Sequence, residues 1–351
     1  MNADLMRKID RRLGAPLCRL LTLSGRIGRL LGRKGRPAEP FQRILFIELA
    51  ESGGLVVAYP ALIRAKALFP EAELYFLTFQ AGKDLLPLMK VVDRSRVILI
   101  HPHSLTRFFK DTIRTILWLR KERLDATVNL EAFSRYSAIL AYLSGAETRV
   151  GFHPFFQEGG YVGDLVTHRV IYNPHRHAAY SFLSLVESLA GQPGIEPGAK
   201  SNFDQADLRV QVITSTPEAR RAMQNKLREA FPGLTPRHRL VLLNPNAGDL
   251  VTVRRWPEEN FLRLAQALLK EPEVMVVLTG SPEERPMTEL LARKLGSDRV
   301  LNLAGQTSIP ELIDLYNLSD LLITNDSGPA HFASLTDIPV LVMFGPETPD
   351  I

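Results

Sequence analysis

From Arg43 onward the chain alternates short apolar runs with longer stretches whose apolar residues recur every three or four positions. In the first half the runs ILFIEL (44–49), ELYFLT (73–78), RVILI (96–100) and ATVNLE (126–131) read as strands. Between them YPALIRAKALF, KDTIRTILWLRKE and SAILAYLSG carry helical spacing. The same grammar restarts with strands at 239–245, 274–280, 299–305, 321–326 and 339–345, separated by PEENFLRLAQALL, TELLARKL and IPELIDLYN. Strands separated by helices predict parallel sheets, here in two halves. The Gly- and Pro-rich stretch at 193–206 is the predicted linker between a domain at 43–192 and a domain at 207–351. In doubly wound sheets ligands gather at the carboxyl ends of the strands, so those ends are where chemistry is expected.

Residues 1–40 follow a different pattern, with leucines and isoleucines three or four apart among ten Lys or Arg and only three acids. The whole chain carries +5, so the body without this extension is slightly acidic and is not a nucleic-acid binder. Arginines among helically spaced leucines predict either a helix on anionic lipid, contacting it through residues 1–36, or a solvated basic extension. Gly14, Pro16, Gly25, Gly28 and Gly32 argue against one continuous helix. With 45% apolar residues the chain can bury large cores. No stretch reaches the roughly 18 unbroken apolar residues of a membrane span, and no secretory leader is evident. One cysteine, Cys18, excludes a disulfide framework and fits a reducing compartment.

Candidate chemistry concentrates in the second half. TNDSGPAH (324–331) leaves an apolar strand through small polar residues and starts a helix at once. Asp326 or Ser327 is placed to cap that helix, Gly328 to admit a ligand close to backbone, and Pro329 to open the first turn. LLNPNAG (242–248), with Asn244, and LTGSPEE (278–284), with Thr279 and Gly280, leave their strands in the same manner. Arg254 and Arg255 follow closely and can neutralise a diphosphate, whereas Trp256 and Pro257 open and pack a helix. No GxxxxGK[ST] loop is present, which disfavours a P-loop enzyme. His175 and His177, near His168, form an HxH pair without acidic or cysteine partners, and a helix start explains it better than a metal.

The blocks LLNPNAG, RRWPEENFLRLAQAL, LTGSPEE, NLAGQTSIPELIDLYNLSDLLITNDSGPAH and IPVLVMFGPETP resemble the heptosyltransferase family of glycosyltransferases, family 9. RILFIEL, YPALIRAKALFPEAELYFLT and SAILAYLSGAETRVGF in the first half resemble it as well. The resemblance implies an α/β chain of GT-B architecture, two doubly wound Rossmann-like domains with a basic N-terminal extension. It further implies inverting transfer of a heptose or similar sugar from ADP-heptose or a related donor to a lipid-linked glycan. No cofactor and no obligatory metal are implied, and the expected location is cytoplasmic, peripheral on the inner membrane face. By the same resemblance Arg254 contacts donor phosphate and Asp326 holds the donor sugar. Ser327, Gly328 and Pro329 would present backbone to the diphosphate, with His331 either a ligand contact or a helix-start histidine.

Two departures stand out. In ELAESGGLVVAYPAL the family's presumed base, an aspartate six residues before the proline of Pro-Ala-Leu, is replaced by Gly54. Glu51 is then either a substitute base or a solvent-facing carboxylate, with Glu48 on the preceding strand and Ser52, Gly53 and Gly54 lining the acceptor-side loop. The alternative is a non-catalytic GT-B module that binds a nucleotide sugar or glycolipid. The ending GPETPDI falls directly after a strand, where the family continues, so the C-terminal domain is expected to be truncated.

Overall fold

The structure is a computed structural model that describes residues 8–31, 40–49, 52–79, 82–102, 104–153, 161–191, 194–196, 203–247 and 252–345. The chain divides into two compact units, meeting in sequence at Arg209 and Val210.

Unit 1 holds a seven-stranded parallel sheet of order β3-β2-β1-β4-β5-β6-β7. Its strands are β1 (Arg43–Ile47), β2 (Glu73–Thr78), β3 (Val97–Leu99), β4 (Ala126–Asn129), β5 (Thr148–Phe152), β6 (His168–Val170) and β7 (Gly194–Glu196). Helices α1 (Ala15–Leu30), α2 (Ser52–Val57), α3 (Tyr59–Leu68), α4 (Gly82–Leu88), α5 (Leu105–Glu122), α6 (Arg135–Leu143) and α7 (Ala178–Glu187) accompany it. Ile44 to Ile47 are buried without alternation, as expected for a central strand covered on both faces. The reversal of strand order falls between β1 and β4. There Asp125 accepts the Gln42 and Arg43 N–H groups at 2.7 and 2.8 Å, fixing the start of β1 against β4.

Unit 2 repeats the plan with five parallel strands of order β10-β9-β8-β11-β12. These are β8 (Arg239–Asn244), β9 (Val274–Leu278), β10 (Val300–Asn302), β11 (Leu321–Asn325) and β12 (Val340–Met343). The helices are α8 (Pro217–Ala230), α9 (Glu258–Leu268), α10 (Arg285–Leu295), α11 (Ile309–Tyr316) and the short α12 (Gly328–Ala333). Asp320 repeats the device of Asp125, accepting the Leu240 N–H at 2.8 Å and fixing β8 against β11. Helix ends follow local chemistry: α10 stops at Gly296, whose φ of 57° suits glycine. Helix α11 starts on a reciprocal Ser308–Glu311 capping box.

Two expectations need correction. The stretch read as a linker contains β7, which pairs with β6 through Gly194, Ile195 and Glu196. The N-terminal extension runs as continuous helix from Lys8 to Leu30, including a wider π-type turn at Asp10–Gly14. Gly14 and Gly25 are close-packing positions. A Cβ on Gly14 would lie 2.8 Å from Arg135 Cδ, and one on Gly25 would lie 2.8 Å from the Tyr142 hydroxyl. Cys18 is fully buried against Ile139 and Leu165, and burial pushes its thiol pKa up to about 11. Asp10 accepts the Tyr136 N–H and pairs with Arg135, both at 3.0 Å. The close approach of α1 to α6 therefore compensates for the low helix propensity of glycine. No described helix is long and apolar enough to cross a membrane.

Candidate functional site

The carboxyl ends of β8, β9 and β11 bring Asn244, Thr279, Gly280 and Asp326 together in unit 2. Asn244 ends β8 and is buried; its Nδ2 donates to Thr279 Oγ1 at 3.3 Å, and its Oδ1 accepts the Asn246 N–H at 3.3 Å. Asn325, fully buried at the end of β11, accepts the Trp256 N–H at 3.0 Å and donates to the Asn246 carbonyl at 3.3 Å. These amides tie the exit loops of neighbouring strands to one another without adding charge. Trp256 packs edge-on against Phe261 of α9, ring centroids 5.1 Å apart, in its predicted packing role.

Arg254 closes a single 3-10 turn, Thr252–Arg254. Its Nε lies 3.4 Å from Asp326 Oδ2, with both side chains largely buried. Gly345, just beyond β12, admits this turn: a Cβ there would lie 2.8 Å from the Val253 carbonyl oxygen and 3.3 Å from Arg254 Cα. Arg255, in contrast, is exposed.

Gly280 fills a similar need. A Cβ at that position would stand 2.8 Å from Asn246 Nδ2 and 3.1 Å from Glu284 Oε2. Glu284 meanwhile accepts the Ser281 N–H at 2.7 Å and shapes the loop after β9. Asn246 is only 4% exposed, yet its Nδ2 has no hydrogen-bond partner among the described residues. A buried amide donor without a partner is costly, so one at a strand-end crevice marks a place where a ligand acceptor would be favoured.

The TNDSGPAH loop differs from expectation at one point. Ser327 occupies the N-cap position of α12 but makes no side-chain cap. Its hydroxyl donates back to the Asn325 carbonyl at 3.2 Å, and Asp326 turns to Arg254 instead. Gly328 and Pro329 open α12 as expected, and the Pro329 carbonyl meets the buried Tyr316 hydroxyl at 3.5 Å. His331 lies within this helix.

In unit 1, Glu51 lies outside the described residues, and Ser52 begins α2 together with Gly53 and Gly54. The informative contact is one that sequence reasoning did not foresee. Glu48, directly after β1, is 6% exposed, and its Oε1 lies 2.9 Å from where a Gly54 Cβ would stand. A carboxylate thus occupies the space of the missing residue-54 side chain. Glu131, following β4, accepts the Leu49 N–H at 2.7 Å and holds the two strand exits together. His177 accepts the Ala179 N–H at 3.3 Å as the cap of α7. No cluster of three or more His, Cys, Asp or Glu suited to a metal occurs among the described residues.

Two Rossmann-like units in sequence, each with its polar residues at the strand-order reversal, define a GT-B-type glycosyltransferase fold. The solved structure of Escherichia coli ADP-heptose LPS heptosyltransferase II matches it with a TM-score of 0.71 at 20% identity, over 88% of this chain and 87% of that one. The model of glycosyltransferase family 9 (heptosyltransferase) matches residues 113–351, and the chain belongs to that family. Lipooligosaccharide heptosyltransferase 2 of Haemophilus influenzae is 32% identical over 99 residues, which span 27% of this chain and 28% of that protein. A longer match, 22% identical over 310 residues, joins 87% of this chain to 80% of the lipopolysaccharide core heptosyltransferase OpsX of the same organism. Matches to the first of these curated relatives thus span little more than a quarter of their length.

Proposed function

We propose that this protein is an inverting glycosyltransferase that moves a heptose or similar sugar from a nucleoside-diphosphate donor to a lipopolysaccharide-type acceptor. The observation that carries the reading is the Arg254–Asp326 pair beside Asn246 at the β8/β11 strand reversal. A diphosphate at these strand ends would have its charge offset by Arg254, which forms an ion pair with Asp326. Asn246 Nδ2 adds a neutral donor next to the bare backbone of Gly280. Donors aimed at the departing diphosphate stabilise the charge that develops as the glycosidic C–O bond breaks. ADP-heptose is the first donor to test, since the structural relative's name carries it.

The acceptor hydroxyl must give up its proton as its oxygen attacks the anomeric carbon from the face opposite the leaving group. A positioned base contributes about 10²–10⁴-fold to such a step. Glu48 is the base in this reading, its Oε1 standing where a residue-54 side chain would begin. The non-catalytic alternative rested on Gly54 alone, and a carboxylate in the same space removes its basis. The reading also makes the protein peripheral at the cytoplasmic membrane face, where a lipid-linked acceptor and a nucleotide sugar meet. Leu17, Leu20, Leu23 and Ile27 on α1 remain exposed after the helix docks and provide one apolar contact with lipid.

The test is a transfer assay with ADP-heptose and heptose-deficient lipopolysaccharide, read by mass spectrometry. A single heptose added with inverted anomeric configuration is expected. Retained configuration, or no addition together with no affinity for ADP, would reject the reading.

A further inference from the structure

Helix α5 packs only part of its surface. Phe108, Thr115 and Leu119 are buried against the sheet, and Trp118 joins them with its ring 5.9 Å from that of Tyr75. Thr112 and the Tyr136 hydroxyl hydrogen-bond at 2.6 Å, and Arg120 Nε donates to the Leu143 carbonyl at 2.9 Å, which seats α5 on α6. A second apolar row remains in solvent. Leu105, Phe109, Ile113 and Leu117, at steps of four, are 42%, 52%, 59% and 65% exposed. Steps of four on a helix of 3.6 residues per turn make one continuous, slowly turning stripe.

The charges around this stripe have one sign. Arg107, Lys110, Arg114 and Lys121 are exposed on the adjoining sector of α5. The helix has two acids. Asp111 is turned to His101, 2.8 Å from its Nδ1, which holds its carboxyl below the usual range, and Glu122 is half-buried. Helix α6 packs against both α5 and α1, so the two exposed apolar rows lie on two of three successively packed helices of unit 1.

We propose that the exposed face of α5 is an interfacial docking surface for an anionic lipid bilayer. Apolar side chains beside cations, with no fully exposed carboxylate on the helix, match the requirements of a helix lying at the headgroup boundary. A second copy of the chain fits less well, because a symmetric contact sets the same patch, and so the same cations, against itself. The surface belongs to the body of unit 1, so its role is separate from that of the N-terminal extension. It also stands independently of the transferase reading.

The experiment is vesicle co-sedimentation of the full chain, using phosphatidylglycerol–phosphatidylethanolamine vesicles against pure phosphatidylcholine, at low and moderate salt. One variant carries Phe109→Ser, Ile113→Ser and Leu117→Ser; another carries Lys110→Glu and Arg114→Glu. All five side chains are exposed, and thermal melts together with ADP titration verify that the fold is retained. Each variant is expected to lower partition onto the anionic vesicles at least tenfold. The charge-reversed variant should also lose the preference for anionic over zwitterionic lipid. Wild-type partition by either variant overturns the proposal. So does a self-associated wild-type species that the serine variant dissociates with no change in vesicle binding. A third variant, Leu20→Ser with Leu23→Ser and Ile27→Ser, locates the effect. Complete loss there with none in the α5 variants would assign all lipid contact to α1 and overturn the role of α5.

Discussion

The two units use one scaffold at their strand-order reversals and furnish it with opposite chemistry. In each, an aspartate before the fourth strand, Asp125 or Asp320, accepts N–H groups from the start of the first strand. In each, a residue at or just past the end of that fourth strand ties down the first strand's exit loop. In unit 1 the tie is the Glu131 carboxylate on the Leu49 N–H. In unit 2 it is the neutral Asn325 amide on the Asn246 carbonyl. Glu48 adds a second carboxylate to the first crevice, whereas Arg254 brings a cation, paired with Asp326, to the second. Two carboxylates repel a diphosphate and suit a proton-accepting role toward a hydroxyl. A guanidinium paired with a single carboxylate and set among neutral amides suits the diphosphate better. Topology therefore sets where each site lies, and the charges at the strand exits decide what it can hold.

Perturbations that exchange or remove these charges should separate turnover from binding. The largest effect is expected from Glu48→Gln, which should slow sugar transfer by about 10²–10⁴-fold. Combining Glu48→Ala, which empties that space, with Gly54→Asp returns a carboxylate to it and should recover much of the rate lost in Glu48→Ala alone. Glu51→Gln, assayed in parallel, should retain wild-type transfer; loss there with none in Glu48→Gln would move the base to Glu51. Next in size, Arg254→Ala should weaken ADP binding by about 1.5–3 kcal/mol, the range for a hydrogen bond to a charged group. Titration calorimetry reads that loss directly.

Gly345→Ala tests the support beneath Arg254. Its Cβ would meet the Val253 backbone carbonyl, which cannot swing aside as a side chain can. Overpacking of this kind costs about 1–3 kcal/mol, measurable by denaturant unfolding, and ADP affinity should fall with it. The smallest expected effect concerns the docked helix α1. With its thiol pKa raised to about 11, Cys18 should label slowly in the native protein and faster as pH climbs toward that value. Rapid labelling at neutral pH would show that α1 does not stay docked on α6.

Much of this was legible from hydrophobic pattern. Strands buried on both faces, such as LFI in β1 and VMVVL in β9, announce themselves as apolar runs. β5, β6 and β7 did not. β6 and β7 have three residues each, all three strands carry charged or polar residues (Arg149, His168, Arg169 and Glu196), and their placement depends on contacts made at a distance. Arg149, for example, donates to the Leu165 carbonyl, 16 residues further along the chain, at 2.6 Å. Gly14 and Gly25 misled in the same way, since helix propensity is local and their contacts with Arg135 and Tyr142 are tertiary. In the candidate site, Asn244, Thr279, Gly280 and Asp326 were visible as small polar residues ending apolar runs. Asn246 and Asn325 were quoted within those runs but not singled out, and the N-P-N at the end of β8 was the available signal. The absence of a carboxylate at residue 54 was plain from spacing alone. That Glu48 fills its space was not, because the contact joins the end of β1 to α2 and exists only in the folded chain.

The division of labour between the two crevices is tested most directly by titrating ADP-heptose calorimetrically into wild type, Arg254→Ala and Glu48→Gln. Strong weakening is expected for Arg254→Ala, with an unchanged dissociation constant for Glu48→Gln. Equal loss of donor affinity in both variants, or none in Arg254→Ala, would contradict it.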